Sequence, residues 1–286
     1  MPAAVVVIIV AETLVVGLGV AAWCLASRSL VPRRLRRAAA AAQSATDAAS
    51  TAVPRWVVAL VVVAAGYGAT LMLMWVLGRT AHALEPAVDI PLFALARDHQ
   101  VPGVWTSAWQ LLTLMGNRHQ TQTLVVLGAV LLGLMWWRYR RPAWVPALAL
   151  GSTYLLEKYG QMVVKKAVDR GHPPTTLGTW PSGGCARLIV VYGVIALLVL
   201  ALVAADQRRR AAVVAWTIVA VLATAEAYSR TYLLKHWFTD VVGGVIYGLL
   251  LLAIAAAGLG ILAGSSSPRV SLGREEDEAS IPTGSR

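Results

Sequence analysis

Long apolar runs separated by short basic clusters restrict this chain to one kind of solvent, the lipid bilayer. Residues 3–26, 54–77, 122–137, 143–164, 187–205, 211–229 and 241–263 are predominantly apolar. Each is near the ~20 residues needed to cross a hydrocarbon core about 30 Å thick. The whole chain is 58% hydrophobic, against roughly 45–50% for a soluble domain on the widest count. The runs therefore predict an all-α integral membrane protein with seven spans. The weakest of them is 143–164, where Pro146, Glu157 and Lys158 interrupt the apolar pattern.

The +11 formal charge does not point to nucleic acid, because the basic residues fall in clusters between apolar runs and not along one helix face. They fit a membrane topology instead. With the N-terminus outside, clusters 28–37, 138–141 and 208–210 and the tail arginines all face the cytoplasm, as the positive-inside rule requires. Counting Arg55, that side carries 15 of the 25 basic residues, while Lys165, Lys166, Arg170, Arg230 and Lys235 face out. The expected location is a plasma (inner) membrane, and the arginine-, alanine- and valine-rich composition points to a GC-rich bacterial genome. Cys24 and Cys185 fall on opposite membrane faces, too far apart for a disulfide. Cys185 reads as a small buried residue.

The boundaries follow from the same pattern. Residues 1–27 form an extra N-terminal transmembrane helix, retained and not cleaved, since the basic cluster follows the apolar run instead of preceding it. Glu12 within it belongs near the outer interface. Residues 28–53 are a basic, Ala-rich cytoplasmic linker, 54–263 the membrane domain, and 264–286 a disordered, charge-rich cytoplasmic tail. Pro54 suits the first position of a helix running to about Leu77. The mixed polar and aromatic stretch from Arg79 to Gln122 is too long to lack structure, and Val104–Met115 reads as an amphipathic helix lying in the outer interface. Gly244 and Gly248 give the last span a small-xxx-small face for close packing within the chain.

Where one apolar run ends and the next begins, Ser229-Arg230, His236 and Asp240 are separated by five and three residues. An arginine fork grips oxyanions, and a carboxylate at i+4 from a histidine can fix its tautomer and stabilise its charged form. A plain interfacial loop meeting lipid headgroups would use the same residue types. Two further segments face the same side: Lys165 to Pro173, and Pro181-Ser182-Gly183-Gly184. Glu157, Gln161 and Lys165 share one helix face, and Glu226 lies one turn below Arg230. These three segments, in this order, resemble the type-2 phosphatidic acid phosphatase superfamily, which also includes vanadium-dependent haloperoxidases. The resemblance runs over roughly residues 54–262. It holds throughout the third motif. The first motif carries His172 where the family has arginine, with Arg170 two residues before it, and the second carries Gly184 where the family has histidine.

The resemblance implies a six-helix phosphatase-type transmembrane bundle, here with the extra N-terminal helix added. It also implies a mechanism without metal or other cofactor. Lys165, Arg170, Arg230, Ser182 and the backbone N–H groups at Gly183 and Gly184 bind the phosphate oxygens, His236 attacks phosphorus, and Asp240 stabilises the phosphohistidine. In the family the histidine at the position of Gly184 protonates the leaving oxygen. Its absence favours a lipid diphosphate, whose leaving group is a weakly basic phosphate ester, over a monophosphate that must expel an alkoxide. His172 offers a second route for that proton. The expected partners are membrane lipids and a lipid phosphate or polyprenyl diphosphate substrate. A non-catalytic binder of lipid phosphate, or a phosphotransferase that has lost the acid, uses the same cradle. A haloperoxidase would use His236 as a vanadate ligand, but the multi-span membrane body argues against a soluble halide oxidant.

Overall fold

The computed structural model describes residues 44, 45, 49, 53–176 and 178–263. The expected N-terminal helix, almost all of the linker and the whole of the tail lie outside the described residues. The rest is helical: α1 (Arg55–Leu84), a π-helical turn (Glu85–Asp89), α2 (Ile90–Asp98), α3 (Val104–Leu112), α4 (Arg118–Arg138), α5 (Trp144–Val168), α6 (Gly183–Leu200), α7 (Arg208–Tyr232) and α8 (Phe238–Ala263). Among the described residues, five helical stretches are long and apolar enough to cross a membrane: Arg55–Asp98, Arg118–Arg138, Gly183–Leu200, Arg208–Tyr232 and Phe238–Ala263. The sixth long helix, α5, falls outside that set. It buries Glu157 and Gln161, polar residues that face the protein and lower its hydropathy.

α6 is the central helix, with Leu188, Val190, Val191 and Val194 fully or almost fully buried. It packs against α8, α7, α5 and α4, and α8 packs in turn on α1. The α6–α8 contact is close because of small residues. A Cβ at Gly248 would lie 3.0 Å from Ala186 Cα, and one at Gly244 only 2.3 Å from the Ser182 carbonyl. The outer helix faces are apolar, as on α4, where Val126, Leu127, Val130, Leu131 and Leu134 are exposed. Lipid is the environment in which such a surface costs nothing.

The first long helix departs from expectation. Polarity rises after Leu77, but the helix does not stop; it runs on as one continuous stretch to Asp98. Pro86 supplies no N–H, and the chain accommodates it in a π-helical turn with Pro at its start, a known device for carrying a helix past a missing hydrogen bond. That turn aims Glu85 and Asp89 inward. The expected interfacial helix is α3, which buries none of its residues.

Candidate active site

The three sequence motifs sit at helix ends on one side of the bundle: the end of α5, the start of α6, the end of α7 and the start of α8. Ser182 and Asp240 join the two helix starts directly, since the Ser182 N–H donates to the Asp240 carbonyl at 2.8 Å. Below them Gln161 Nε2 donates to the Pro181 carbonyl at 3.0 Å. Ser182 stands at the N-cap position of α6 without a side-chain capping bond and is fully buried beside the Cys185 thiol.

His236 lies in the short loop between α7 and α8, 8% exposed. Its Nδ1 is 3.5 Å from Asp240 Oδ2. Burial, reinforced by Arg230, Lys165, Arg187 and Lys235, holds its pKa well below the usual histidine value. The free ring is therefore neutral at physiological pH, with Nε2 on the side away from the carboxylate. Neighbouring Lys235 is also shifted down, by burial and then by Arg230.

The loop before α6 braces this histidine, a feature the sequence did not signal. Thr175 Oγ1 donates to the Leu234 carbonyl at 2.5 Å and Thr176 Oγ1 to the Lys235 carbonyl at 2.6 Å. Gly178 comes so near that a Cβ there would lie 2.1 Å from the Lys235 carbonyl and 2.8 Å from His236 Nδ1.

The cations divide into two groups. Arg170 is buried with a carboxylate or hydroxyl on each nitrogen: Nε donates to Glu85 at 3.1 Å, Nη1 to Asp240 Oδ1 at 3.0 Å and to Thr239 Oγ1 at 2.6 Å, and Nη2 to Asp89 Oδ2. Asp89 also accepts from the Thr239 backbone N–H at 2.9 Å and from its hydroxyl at 2.7 Å. This cluster is formally −2, with three carboxylates against one guanidinium, and it lies behind Asp240. Arg170 therefore faces carboxylates on all sides and not an open phosphate site.

The other group is positive. Arg230 Nε donates to Glu226 at 2.6 Å, and its Nη2 to Asn117 Oδ1 at 2.7 Å and the Thr113 carbonyl at 3.1 Å. Arg187, on the second turn of α6, donates from Nε to the Gly116 carbonyl at 3.3 Å and from Nη1 to Glu157 at 3.4 Å. Glu157 thus pairs directly with Arg187, while Lys165 feels Arg187, Asp240 and Glu157 through space. Four cations (Lys165, Arg187, Arg230, Lys235) against two carboxylates (Glu157, Glu226) leave this side formally +2. His236 sits between the negative and the positive group.

His172 does not join either group. It is exposed, and its Nδ1 pairs with the neighbouring Pro173 carbonyl at 2.9 Å. Gly183 and Gly184 open α6 and are buried. The space a side chain at 184 would need is already filled, since a Cβ there would lie 2.5 Å from Arg230 Nη2 and 2.6 Å from Glu226 Oε1. A histidine side chain at 184, where the family has its proton donor, would meet this obstacle. Arg187 was absent from the motif reading. Its signal was a lone arginine inside the apolar run 187–205, and an intramembrane charge is by default a functional candidate.

Residues 123–260 match the family model of the PAP2 superfamily. Among solved structures the fold is similar to that of a transmembrane PAP2-type phosphatidylglycerolphosphate phosphatase from Bacillus subtilis, with a TM-score of 0.54 and 23% identity over 66% of this chain and 93% of that one. No curated relative matches the chain.

Proposed function

With residues 123–260 belonging to the PAP2 superfamily, we propose that the protein is a membrane-embedded lipid phosphate phosphatase that works through a phosphohistidine. The carrying observation is His236, a buried imidazole with Asp240 on one side and a cluster of cations on the other. Its Nε2 lone pair forms the new bond to phosphorus while the bond from phosphorus to the leaving oxygen breaks. The imidazolium so formed is stabilised by Asp240 through Nδ1. Arg230 and Lys235, with Ser182 and the N–H groups of Gly183 and Gly184 opening α6, bind the oxygens of the transferred phosphoryl group and the charge gathering on them, and Lys165 binds phosphate beside them. Side-chain cations do the work that a metal does in other phosphatases. Water then attacks phosphorus, breaks the P–N bond and releases inorganic phosphate.

Arg170 takes a different part from the one its motif position suggests. It holds Asp240 and is a positioning residue. The substrate is a lipid diphosphate, attacked at its terminal phosphorus, because no histidine stands at 184 to protonate an alkoxide and the expelled lipid monophosphate needs no such help. The extracytoplasmic face is supported by the helix ends. α5 and α7 carry Lys165 and Arg230 at one end, while Arg138, Arg140 and Arg141 lie just before the other end of α5 and Arg208, Arg209 and Arg210 at the other end of α7, the arrangement the positive-inside rule gives for a site outside.

The test is phosphate release by purified protein in detergent from matched lipid mono- and diphosphates, with acid quenching avoided so that a labelled P–N adduct survives. The expected outcome is release, a labelled adduct in the natural protein, and neither in His236→Gln. A protein that binds these lipids without releasing phosphate is instead a lipid phosphate binder, the second reading, which the glycine at 184 also accommodates.

A further inference from the structure

The two arginines on the positive side of His236 are each organised by a buried carboxylate of their own. Arg230 is anchored by Glu226, with Lys235 beside them, and Arg187 is anchored by Glu157, with Lys165 beside them. Both carboxylates are fully buried, and each has one oxygen on its arginine and a second, Oε2, with no hydrogen-bond partner among the described residues. The two pairs meet across a single residue, since Gly116 gives its carbonyl to Arg187 Nε and its N–H to Glu226. That glycine allows no side chain, because a Cβ would lie 2.2 Å from Glu226 Oε1 and 2.6 Å from the Gly184 carbonyl.

The arginines are arranged alike. Each has Nε and one terminal nitrogen fixed by protein oxygens, and each leaves the other terminal nitrogen, Nη1 of Arg230 and Nη2 of Arg187, without a protein partner among the described residues. Their side chains are 9% and 12% exposed. Holding four cations this close in a low-dielectric boundary is unfavourable unless anions bind between them. One phosphoryl group offers three oxygens to one such pair, which leaves the second pair for another group.

We propose that Lys165 and Arg187, steadied by Glu157, form a second phosphoryl subsite beside the Arg230–Lys235 subsite, so that the protein selects lipids bearing a diphosphate over those bearing a monophosphate. The inference rests on the phosphatase reading for its reaction but not for its binding. Arg187 lies outside the three motif segments and takes up a guanidinium role in the site from which Arg170 has been diverted.

The experiment compares natural protein with Arg187→Gln and with Arg187→Gln/Glu157→Gln, the double variant leaving no unpaired buried carboxylate if the single one fails to fold. Farnesyl diphosphate and farnesyl monophosphate are the substrates. One lost charge-assisted contact should raise KM for the diphosphate about 10- to 100-fold, so that the ratio of kcat/KM for the diphosphate to that for the monophosphate falls by about tenfold or more. Equal losses on both substrates, or no loss on either, would overturn the proposal. Thermal stabilisation by inorganic pyrophosphate against orthophosphate gives a readout without turnover. The natural protein should prefer pyrophosphate, and both variants should lose that preference. Should the natural protein hydrolyse neither lipid yet show this pattern, the second subsite stands and the phosphatase reading falls; absence of any preference for pyrophosphate in the natural protein overturns the subsite.

Discussion

Arg170 holds Asp240 from behind: its Nη1 donates to Oδ1 at 3.0 Å, and the carboxylate's other oxygen lies 3.5 Å from His236 Nδ1. One guanidinium therefore sets where the carboxylate can meet the ring. Asp89, delivered by the π-helical turn, fixes the same guanidinium and the backbone of Thr239 at the start of α8.

Replacement of Arg170 is expected to lower kcat with little change in KM, because the lost contact is to a catalytic carboxylate and not to substrate. Arg170→Lys keeps the charge but cannot span Glu85, Asp89 and Asp240 together, and a loss near 10²-fold in kcat is expected from a misplaced catalytic pair. Arg170→Ala leaves two buried carboxylates, Asp89 and Asp240, and the half-buried Glu85 uncompensated and should destabilise the fold by about 3–5 kcal/mol. Steady-state kinetics and thermal denaturation in detergent separate the two effects. A rise in KM alone for Arg170→Lys would return Arg170 to the substrate.

The pH profile should carry the signature of a depressed histidine. His236 must be neutral to attack, and burial with four nearby cations keeps its pKa well below the ordinary value of 6.5. The acid limb of kcat/KM, which reports the free enzyme, is thus expected below pH 6.5. Bound phosphate is an anion and pulls the imidazole pKa back up, so the acid limb of kcat should lie at higher pH than that of kcat/KM. For stability the sign is the opposite of a salt-bridged histidine: below about pH 6.5 the unfolded chain takes up a proton that the folded one refuses, so stability falls as pH drops. His236→Gln should flatten that part of the stability curve.

A side chain at 184 is expected to harm the site and not to repair it. Both Gly184→Ala and Gly184→His push on Arg230 and Glu226, which Asn117 and Thr113 hold in place. Displacing the Arg230 head should raise KM for any phosphate ligand by at least about tenfold, the size of one charge-assisted hydrogen bond. Phosphate release from mono- and diphosphate lipids measures this. A gain in monophosphate turnover in Gly184→His would show that the pair yields and that the histidine acts as the leaving-group acid.

What was legible in the sequence is what local spacing encodes. The i+4 relation of His236 to Asp240, the Glu226–Arg230 turn, the small face of α8 and the short helix α3 are each set within a few residues. Most of the helices followed from apolar run length alone. What stayed hidden depends on side chains arriving from far along the chain. Arg170 looks like a phosphate ligand until Glu85 and Asp89, some eighty residues upstream, are brought onto it by a turn that forms because Pro86 lacks an N–H. Gly184 looks like a lost histidine until Arg230 and Glu226 are found in its space. Arg187 carries no motif at all, and its partners Glu157 and Gly116 come from α5 and from the turn before α4.

Replacements in the loop that braces His236, the proposed nucleophile, alter no catalytic group yet should alter the rate. Thr176 ties the loop to the Lys235 carbonyl at 2.6 Å, and Gly178 lies against the same carbonyl and the edge of the His236 ring. A methyl group at 178 has no room, since the Lys235 carbonyl is backbone and the ring is hemmed in by burial. Either the 233–237 loop or the 173–180 loop must shift, and both movements carry His236 away from its line of attack. Displacement of a reacting atom by about 1 Å typically costs near 10²-fold in rate, so Gly178→Ala is expected to lose that much in kcat while its thermal midpoint stays close to the natural protein's. Thr176→Val removes one tie but adds no bulk, and a smaller loss, about tenfold, is expected. Yield of the trapped phosphohistidine distinguishes the cause, because a displaced nucleophile forms less adduct whereas impaired water attack accumulates more. Gly178→Ala with full activity would mean that the ring is free to move and that the loop does not set its position.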